Sequence, residues 1–197
     1  MIGDEWQGKF ARRPSLFHND DSIWDTSGRF RMDAVFLIYL SNCFWLIFPV
    51  LVLNMLLARR LPRFYQAAVF DNVPNWIAAG ENILRIVVFL APIPMPLGIS
   101  DGEQKLGLIL YAVGFAIYLL SWLLQIRFPN SAWSRSRLGF MAPAYTPALW
   151  LAGIALTGRS LFLPVPWSPW IYAALGTGFL VFHNTHCWIA HSCATPA

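Results

Sequence analysis

The chain has 197 residues, of which 57% are hydrophobic and only 12% are charged, whereas roughly a quarter of an ordinary soluble domain is charged. The formal charge of +4 is spread without a run of like charges, which excludes a nucleic-acid-binding surface. The three cysteines, Cys43, Cys187 and Cys193, are an odd number and exclude a disulfide framework. Because long apolar runs alternate with short polar stretches, we expect an all-α fold, a polytopic membrane helix bundle with about five transmembrane helices.

The N-terminal segment, residues 1–33, mixes charged residues with scattered aromatics and is predicted to be an interfacial or extramembrane arm. It has no continuous apolar stretch like that of a secretory signal, so we expect it to be retained. A five-helix transmembrane domain is predicted over residues 34–192, with residues 193–197 as a C-terminal tail. Its first span, about 34–57, precedes a cluster of arginines that stops transfer through the membrane.

The second span is predicted at about 75–91, after the polar residues and the proline of segment 71–74. The alternating prolines that follow cannot continue an α-helix and are expected to end it in an extended segment. They are Pro92, Pro94 and Pro96.

The third span, about 104–126, opens with the capping-box pattern Ser100-Asp101-Gly102-Glu103. Small residues recur within it every seven positions, and this spacing predicts a seam on which a neighbouring helix packs closely. These residues are Gly107, Gly114 and Ser121.

The last two spans differ in regularity. The fourth, about 138–158, is predicted to be kinked or broken by Pro143 and Pro147, with Thr146 capping a separate shorter helix. The fifth, about 168–190, begins with a serine as N-cap and a proline at the first helical position. The spans do not repeat one another, so an inverted-repeat transporter is not supported.

Arginines in the short loops predict the orientation of the bundle. The loops after the second and fourth spans hold one basic residue each, Lys105 and Arg159. The other two loops would therefore be cytoplasmic, with the C-terminus inside, although the five basic residues of the N-terminal tail oppose this orientation. The basic residues of those two loops are Arg59, Arg60, Arg63, Arg127, Arg135 and Arg137.

Glu81, Asn82 and Arg85 form the first candidate site. Ionisable groups are costly inside a bilayer and usually face the bundle interior or a watery cavity. The four-residue spacing of Glu81 and Arg85 places them on one helical face in the favourable order for an ion pair. A self-neutralising pair that binds no ligand is the alternative.

Three histidines and a cysteine share one broad face near the end of the fifth span: His183, His186, Cys187 and His191. Imidazole and thiolate suit zinc, copper or iron, and a single imidazole can ligate haem. The alternatives are acid or base chemistry by Glu81, His183 or His186, and histidines that only bind carbonyls and headgroups at the helix end.

A third polar set lies in the first span, at Asn42, Cys43 and Asn54. If the loop after this span is cytoplasmic, Asn54, Glu81 and the histidines of the fifth span fall in one leaflet. This coincidence predicts a pocket in which Glu81 meets His183 or His186. Three separate interhelical hydrogen bonds are the alternative.

Arginines and serines of the loop before the fourth span could hold a phosphate or a lipid headgroup. They are Ser134, Arg135, Ser136 and Arg137. Trp150, Trp167 and Trp170 are expected in the aromatic belts at the membrane interfaces.

No motif of a characterised family is present in the sequence: it has no Walker loop, no Gly-x-Ser-x-Gly and no His-Glu-x-x-His. The leading hypothesis is an integral membrane protein that binds a lipid or small hydrophobic ligand within its bundle, or an accessory subunit of a membrane complex. The alternative is an enzyme that modifies a lipid headgroup at the cytoplasmic face, or a metal- or haem-binding membrane protein. Membrane lipid and other membrane subunits are the expected partners, and the sequence names no cofactor.

Overall fold

The computed structural model describes residues 40–60 and 73–194, and every helix or strand named within them is an α-helix, which confirms the all-α prediction for this part of the chain. The described residues from Ser41 onward belong to one compact unit. The predicted arm, residues 1–33, and the last three residues lie outside the described ranges. The helices are α1 (Phe44–Ala58), α2 (Asn75–Leu90), α3 (Gly102–Arg127), α4 (Ala132–Arg135), α5 (Arg137–Tyr145), α6 (Pro147–Thr157) and α7 (Pro169–Ala194).

Helix α1 begins at Phe44 and residues 41–43 are not helical, so the prediction of one continuous helix over 34–57 is wrong at this point. Asn42 pairs with Pro96 through an isolated antiparallel bridge. The backbone N–H of Cys43 donates to Met95 O at 2.8 Å, and that of Leu97 donates to Ser41 O at 3.0 Å. Because these backbone groups are bonded across the bridge, they are not part of a helix.

The proline segment after α2 forms turns, which corrects the extended conformation predicted for it. The backbone N–H of Ile93 donates to Leu90 O at 3.0 Å, and that of Met95 donates to Pro92 O at 3.2 Å. Both donors are the residues between prolines, so the missing proline N–H groups do not prevent the turns.

The capping box of α3 lies one residue later than predicted. Asp101 is the N-cap, its carboxylate accepts from the backbone N–H of Gln104 at 2.8 Å, and the Gln104 side chain accepts from the Asp101 backbone. Glu103 instead pairs with Arg159 at 3.0 Å, and Arg159 also contacts Asp101 at 2.8 Å. The two carboxylates thus fix the loop after α6 to the start of α3.

The predicted seam on α3 is confirmed, and the helix that packs on it is α6. Gly107, Gly114 and Ser121 are all buried. A Cβ atom at Gly153 of α6 would lie only 2.5 Å from the backbone nitrogen of Tyr111. Glycine on both helices therefore lets the two backbones approach closely.

The fourth predicted span is broken between α5 and α6, as expected from Pro147, which is the first residue of α6. Thr146 lies at the N-cap position of α6 as predicted, but its side chain makes no cap hydrogen bond, because its hydroxyl donates back to Ala142 O at 2.8 Å. Pro143 lies inside α5 and cannot donate a helical hydrogen bond to the carbonyl of Gly139. The buried side chain of Gln125 on α3 donates to that carbonyl instead.

The fifth predicted helix begins at Pro169 as expected and continues to Ala194, so it includes the start of the predicted C-terminal tail. It packs against α2, α5 and α6. The hydrophobic core draws on α1, α2, α3, α6 and α7, and its largest buried side chains are Trp150 and Tyr172.

Two helical stretches are long and apolar enough to cross a membrane, Gly102–Arg127 and Arg137–Thr157, the latter comprising α5 and α6. Helix α1 is apolar but shorter. The buried helix of a soluble protein can satisfy the same length and composition, so these stretches give weak support for a membrane location. The five spans remain a prediction.

Candidate functional site

A cavity of about 540 Å³ lies between the helices and is lined by residues of α1, α2, α3, α5, α6 and α7. Most of its wall is apolar. Its ionisable side chains are contributed by α2, α3 and α7, and with Asn54 of α1 they form the part of the cavity called here the polar end. Volumes of 300–1,000 Å³ are typical of small-molecule sites. The aromatic lining residues are Phe89, Tyr118, Trp122, Phe140, Trp150 and Phe179.

Glu81 is the centre of the polar end. Its side chain is 3% exposed and contacts Arg85, His183 and His186. The Oε1 atom lies 2.9 Å from Nδ1 of His183 and also accepts from the guanidinium of Arg85, while Oε2 contacts Nδ1 of His186. The structure therefore brings together two groups that are 102 positions apart in the sequence.

Helical spacing explains how each half of this cluster is presented. Glu81 and Arg85 are four residues apart on α2, and His183 and His186 are three apart on α7, so each pair lies on one helical face. Packing of α2 on α7 then brings the two faces together. The ring of His183 stacks on Phe179 at 5.3 Å, with 10° between the planes, which holds the imidazole in place.

An ionised Glu81 determines which ring nitrogen of each histidine carries a hydrogen. An ionised carboxylate only accepts hydrogen bonds, so the Nδ1 atoms that contact Glu81 carry the hydrogens. In a neutral imidazole the Nε2 atom is then an acceptor. With neutral histidines, the charges of Glu81 and Arg85 cancel.

Tyr118 is a polar cavity residue that sequence reasoning missed. Its hydroxyl donates to Oδ1 of Asn54 at 2.5 Å, so the predicted site residue Asn54 belongs to the same cavity wall as Glu81. Tyr118 is four residues after Gly114 and three before Ser121. It therefore lies on the seam that the small residues of α3 define, and that pattern could have revealed it.

Several predicted site residues lie away from the cavity wall. Asn82 is exposed and accepts from Arg85 at 3.3 Å. Arg135 donates to Asn130 at 3.1 Å, and the guanidinium of Arg137 lies 4.1 Å from the ring of Trp188. Neither arginine lines the cavity, so a headgroup site in this loop would be separate from Glu81 and remains a prediction.

The histidines and the cysteine of α7 do not form the predicted metal-ligand set. His183, His186 and Cys187 line the cavity, but His191 is buried against the ring of Phe140, 5.0 Å away. Among residues 40–60 and 73–194, no group of three or more His, Cys, Asp or Glu side chains has the geometry to hold a metal ion. The Nδ1 atoms of His183 and His186 face a carboxylate instead.

Two other predictions change with the structure. Trp150, expected in an aromatic belt, is 2% exposed and lines the cavity because its backbone lies over Gly114. Its indole Nε1 has no hydrogen-bond partner among the described residues. Asn42 and Cys43 lie at the bridge to residues 95–97 and do not line the cavity with Asn54.

Comparisons with protein-family models, with curated proteins and with solved structures return no match. The geometry of the cavity and of the Glu81 cluster is therefore the basis for the functional proposal.

Proposed function

We propose that the chain is an integral membrane protein whose helices cross the bilayer five times and hold a small amphiphilic ligand, such as a lipid, in the cavity. Helices α1, α2, α3 and α7 each make one crossing, and α5 and α6 together make the fourth along the chain. The cavity, aromatic along its length and ionisable at one end, is the single observation that carries this proposal.

Exposed apolar side chains support the membrane location. Large apolar residues are exposed on α1, α2, α3 and α7, and Met55, Ile83, Ile109 and Val181 are each at least 59% exposed. Soluble monomers rarely expose contiguous apolar patches larger than a few hundred Å². In a bilayer these apolar side chains would contact lipid chains and would not be exposed to water.

The distribution of polar groups supports an amphiphile over a purely apolar ligand. An apolar chain would contact Phe89, Trp150 and Phe179, and its polar end would meet Glu81, His183 and Asn54. Arg85 and Leu51 line the cavity and are at least partly exposed, which marks a mouth between α1 and α2. A ligand could enter there from the surrounding lipid.

The proposal is tested by what co-purifies with the protein in mild detergent. Leu57 lines the cavity, whereas its neighbour Leu56 is exposed and does not, so Leu57→Trp and Leu56→Trp are matched variants. We expect lipid mass spectrometry to find an amphiphile on the wild type and on Leu56→Trp, and little of it on Leu57→Trp. Equal retention by all three would indicate surface lipid and contradict the proposal.

An enzyme that acts on the polar end of a lipid is a second candidate, favoured by one observation. The contact between Glu81 and Nδ1 of His183 orients the ring and leaves Nε2 as a base that could remove a proton from a bound group. We expect such an enzyme to convert a lipid in a membrane extract and to lose that conversion in Glu81→Gln. Conversion that persists in folded Glu81→Gln, or no conversion by wild type, would exclude this role.

A further inference from the structure

We infer that the polar end of the ligand is an uncharged hydroxyl group that donates a hydrogen bond to Nε2 of His183. This inference rests on the proposed function, because it names the chemical class of the molecule in the cavity. The class is a hydroxyl-bearing lipid, which could be a free long-chain alcohol or a glycerol ester.

The direction of the hydrogen bond follows from the contacts of His183. Its Nδ1 atom, 2.9 Å from a buried carboxylate oxygen of Glu81, is the donor in that pair. A neutral ring with its hydrogen on Nδ1 offers only a lone pair at Nε2, on the far side of the ring from Glu81. Because His183 lines the cavity and its plane is fixed on Phe179, the polar group that fits beside it is a donor.

Charge in the cluster argues against an anionic headgroup. The ionisable groups that line the cavity are Glu81 and Arg85 of α2, Tyr118 of α3, and His183, His186 and Cys187 of α7. The Arg85 guanidinium is engaged by Glu81 Oε1 and by Asn82 Oδ1. With neutral imidazoles the cavity carries no net charge, so an ionised headgroup would enter without a counter-charge.

The inference is tested with three single-chain probes added to the purified protein in detergent at pH 8. The probes are 1-dodecanol, dodecyl methyl ether and dodecanoate, which share a chain length and differ in the polar end. Binding is measured as the rise in the thermal-unfolding midpoint with probe concentration. We expect dodecanol to bind about three- to tenfold more tightly than the ether, the effect of one hydrogen bond, and dodecanoate to bind most weakly.

Two variants separate the hydrogen bond from the cavity itself. His183→Phe retains an aromatic ring on Phe179 but lacks Nε2, so the preference for dodecanol over the ether should disappear. His191→Phe removes an imidazole of the same helix that does not line the cavity and should retain the preference. Should His183→Phe fail to fold, the comparison of the three probes on wild type still tests whether the polar end is a hydroxyl.

The other possible results contradict either the hydroxyl or the proposed function. Equal binding of dodecanol and the ether by wild type, with both excluded by Leu57→Trp, would refute the hydroxyl and leave the proposed function intact. Tighter binding of dodecanoate would assign the polar end to an anion. If Leu57→Trp and wild type respond alike to every probe, both the inference and the proposed function fail. If dodecanol binds as expected, comparing it with 1-lauroylglycerol shows whether a free alcohol or a glycerol ester binds better.

Discussion

The Nδ1 atom of His183 lies 2.9 Å from Oε1 of Glu81, so a hydrogen bond joins α7 to α2 at the polar end of the cavity. The same carboxylate accepts from Arg85 on its own helix. Glu81 therefore belongs both to an intrahelical ion pair and to an interhelical network. Its loss should affect more of the structure than the loss of any one of its partners.

The ion pair between Glu81 and Arg85 should be coupled but unequal. Glu81→Leu removes a side chain that is 3% exposed and leaves three former partners, and we expect it to cost about 3 kcal/mol of unfolding free energy. Arg85→Met should cost about 1 kcal/mol or less, because Arg85 is 42% exposed and the histidines still bind the carboxylate. Unfolding in detergent should show that the double variant loses less than the sum. Additive losses would mean that the two charges do not interact.

Gln125 should matter because Pro143 leaves a carbonyl without its helical donor. Gln125→Leu removes the only side chain described as donating to Gly139 O, and we expect a loss of about 1–3 kcal/mol. Pro143→Ala restores a backbone N–H to α5 and should reduce the cost of Gln125→Leu. A double-mutant cycle of unfolding free energies measures this coupling. If Gln125→Leu costs the same unfolding free energy with and without Pro143→Ala, the two residues do not interact.

The seam between α3 and α6 should tolerate no added methyl group at Gly153. A Cβ there meets backbone atoms of Tyr111 and Gly107, which cannot move without separating the helices, so Gly153→Ala should cost about 1–3 kcal/mol. Gly176→Ala is the matched control, because its Cβ would lie 3.7 Å from Leu151. It should be neutral or stabilise α7 by up to about 1 kcal/mol. Similar thermal midpoints for the two variants would contradict the close approach.

Asp101 should make stability depend on pH at the start of α3. The backbone N–H of Gln104, and then the Arg159 guanidinium, hold the pKa of Asp101 below its ordinary value. A depressed pKa in the folded state stabilises the protein above the unfolded pKa, and this contribution disappears as the pH falls through the folded pKa. Asp101→Asn, which retains a capping oxygen, should thus have a lower thermal midpoint than wild type at neutral pH and converge with it below about pH 4. A pH-independent difference would exclude the charge as its cause.

Reporter fusions test the orientation predicted from the loop arginines. A reporter after Ala197 should be cytoplasmic, and one inserted at Asp101 should lie on the opposite side, because the loops that contain Arg59 and Arg135 are expected inside. Activity of both reporters on the same side would contradict three crossings between Asp101 and Ala197.

Local sequence patterns predicted where some helices begin and that Glu81 pairs with Arg85. Ser168 and Pro169 predicted the start of α7 because capping depends on neighbouring residues. The spacing of Glu81 and Arg85 predicted their pairing for the same reason. Their meeting with His183 was a hypothesis about one leaflet, and it required the packing of α2 on α7.

The remaining features depend on contacts between distant segments. Asp101 caps α3 although Ser100 also could, and Arg159, 58 residues away, contacts the Asp101 side chain. The start of α1 depends on the pairing of residues 41–43 with residues 95–97, and no local sequence pattern predicts this pairing. Trp150 is buried because Gly114 leaves room for the α6 backbone, whereas tryptophan content alone predicted an interfacial belt.

The pairing of residues 41–43 with residues 95–97 also orders events during synthesis. Cys43 leaves the ribosome 53 residues before Pro96, whose carbonyl accepts from its thiol, a delay of about 3 to 10 seconds at ordinary rates of elongation. Once Leu97 has emerged, α1 and α2 can close as a hairpin while α3 is still being made. The hairpin that contains Glu81 would then form before α7, with His183 and His186, has been synthesised.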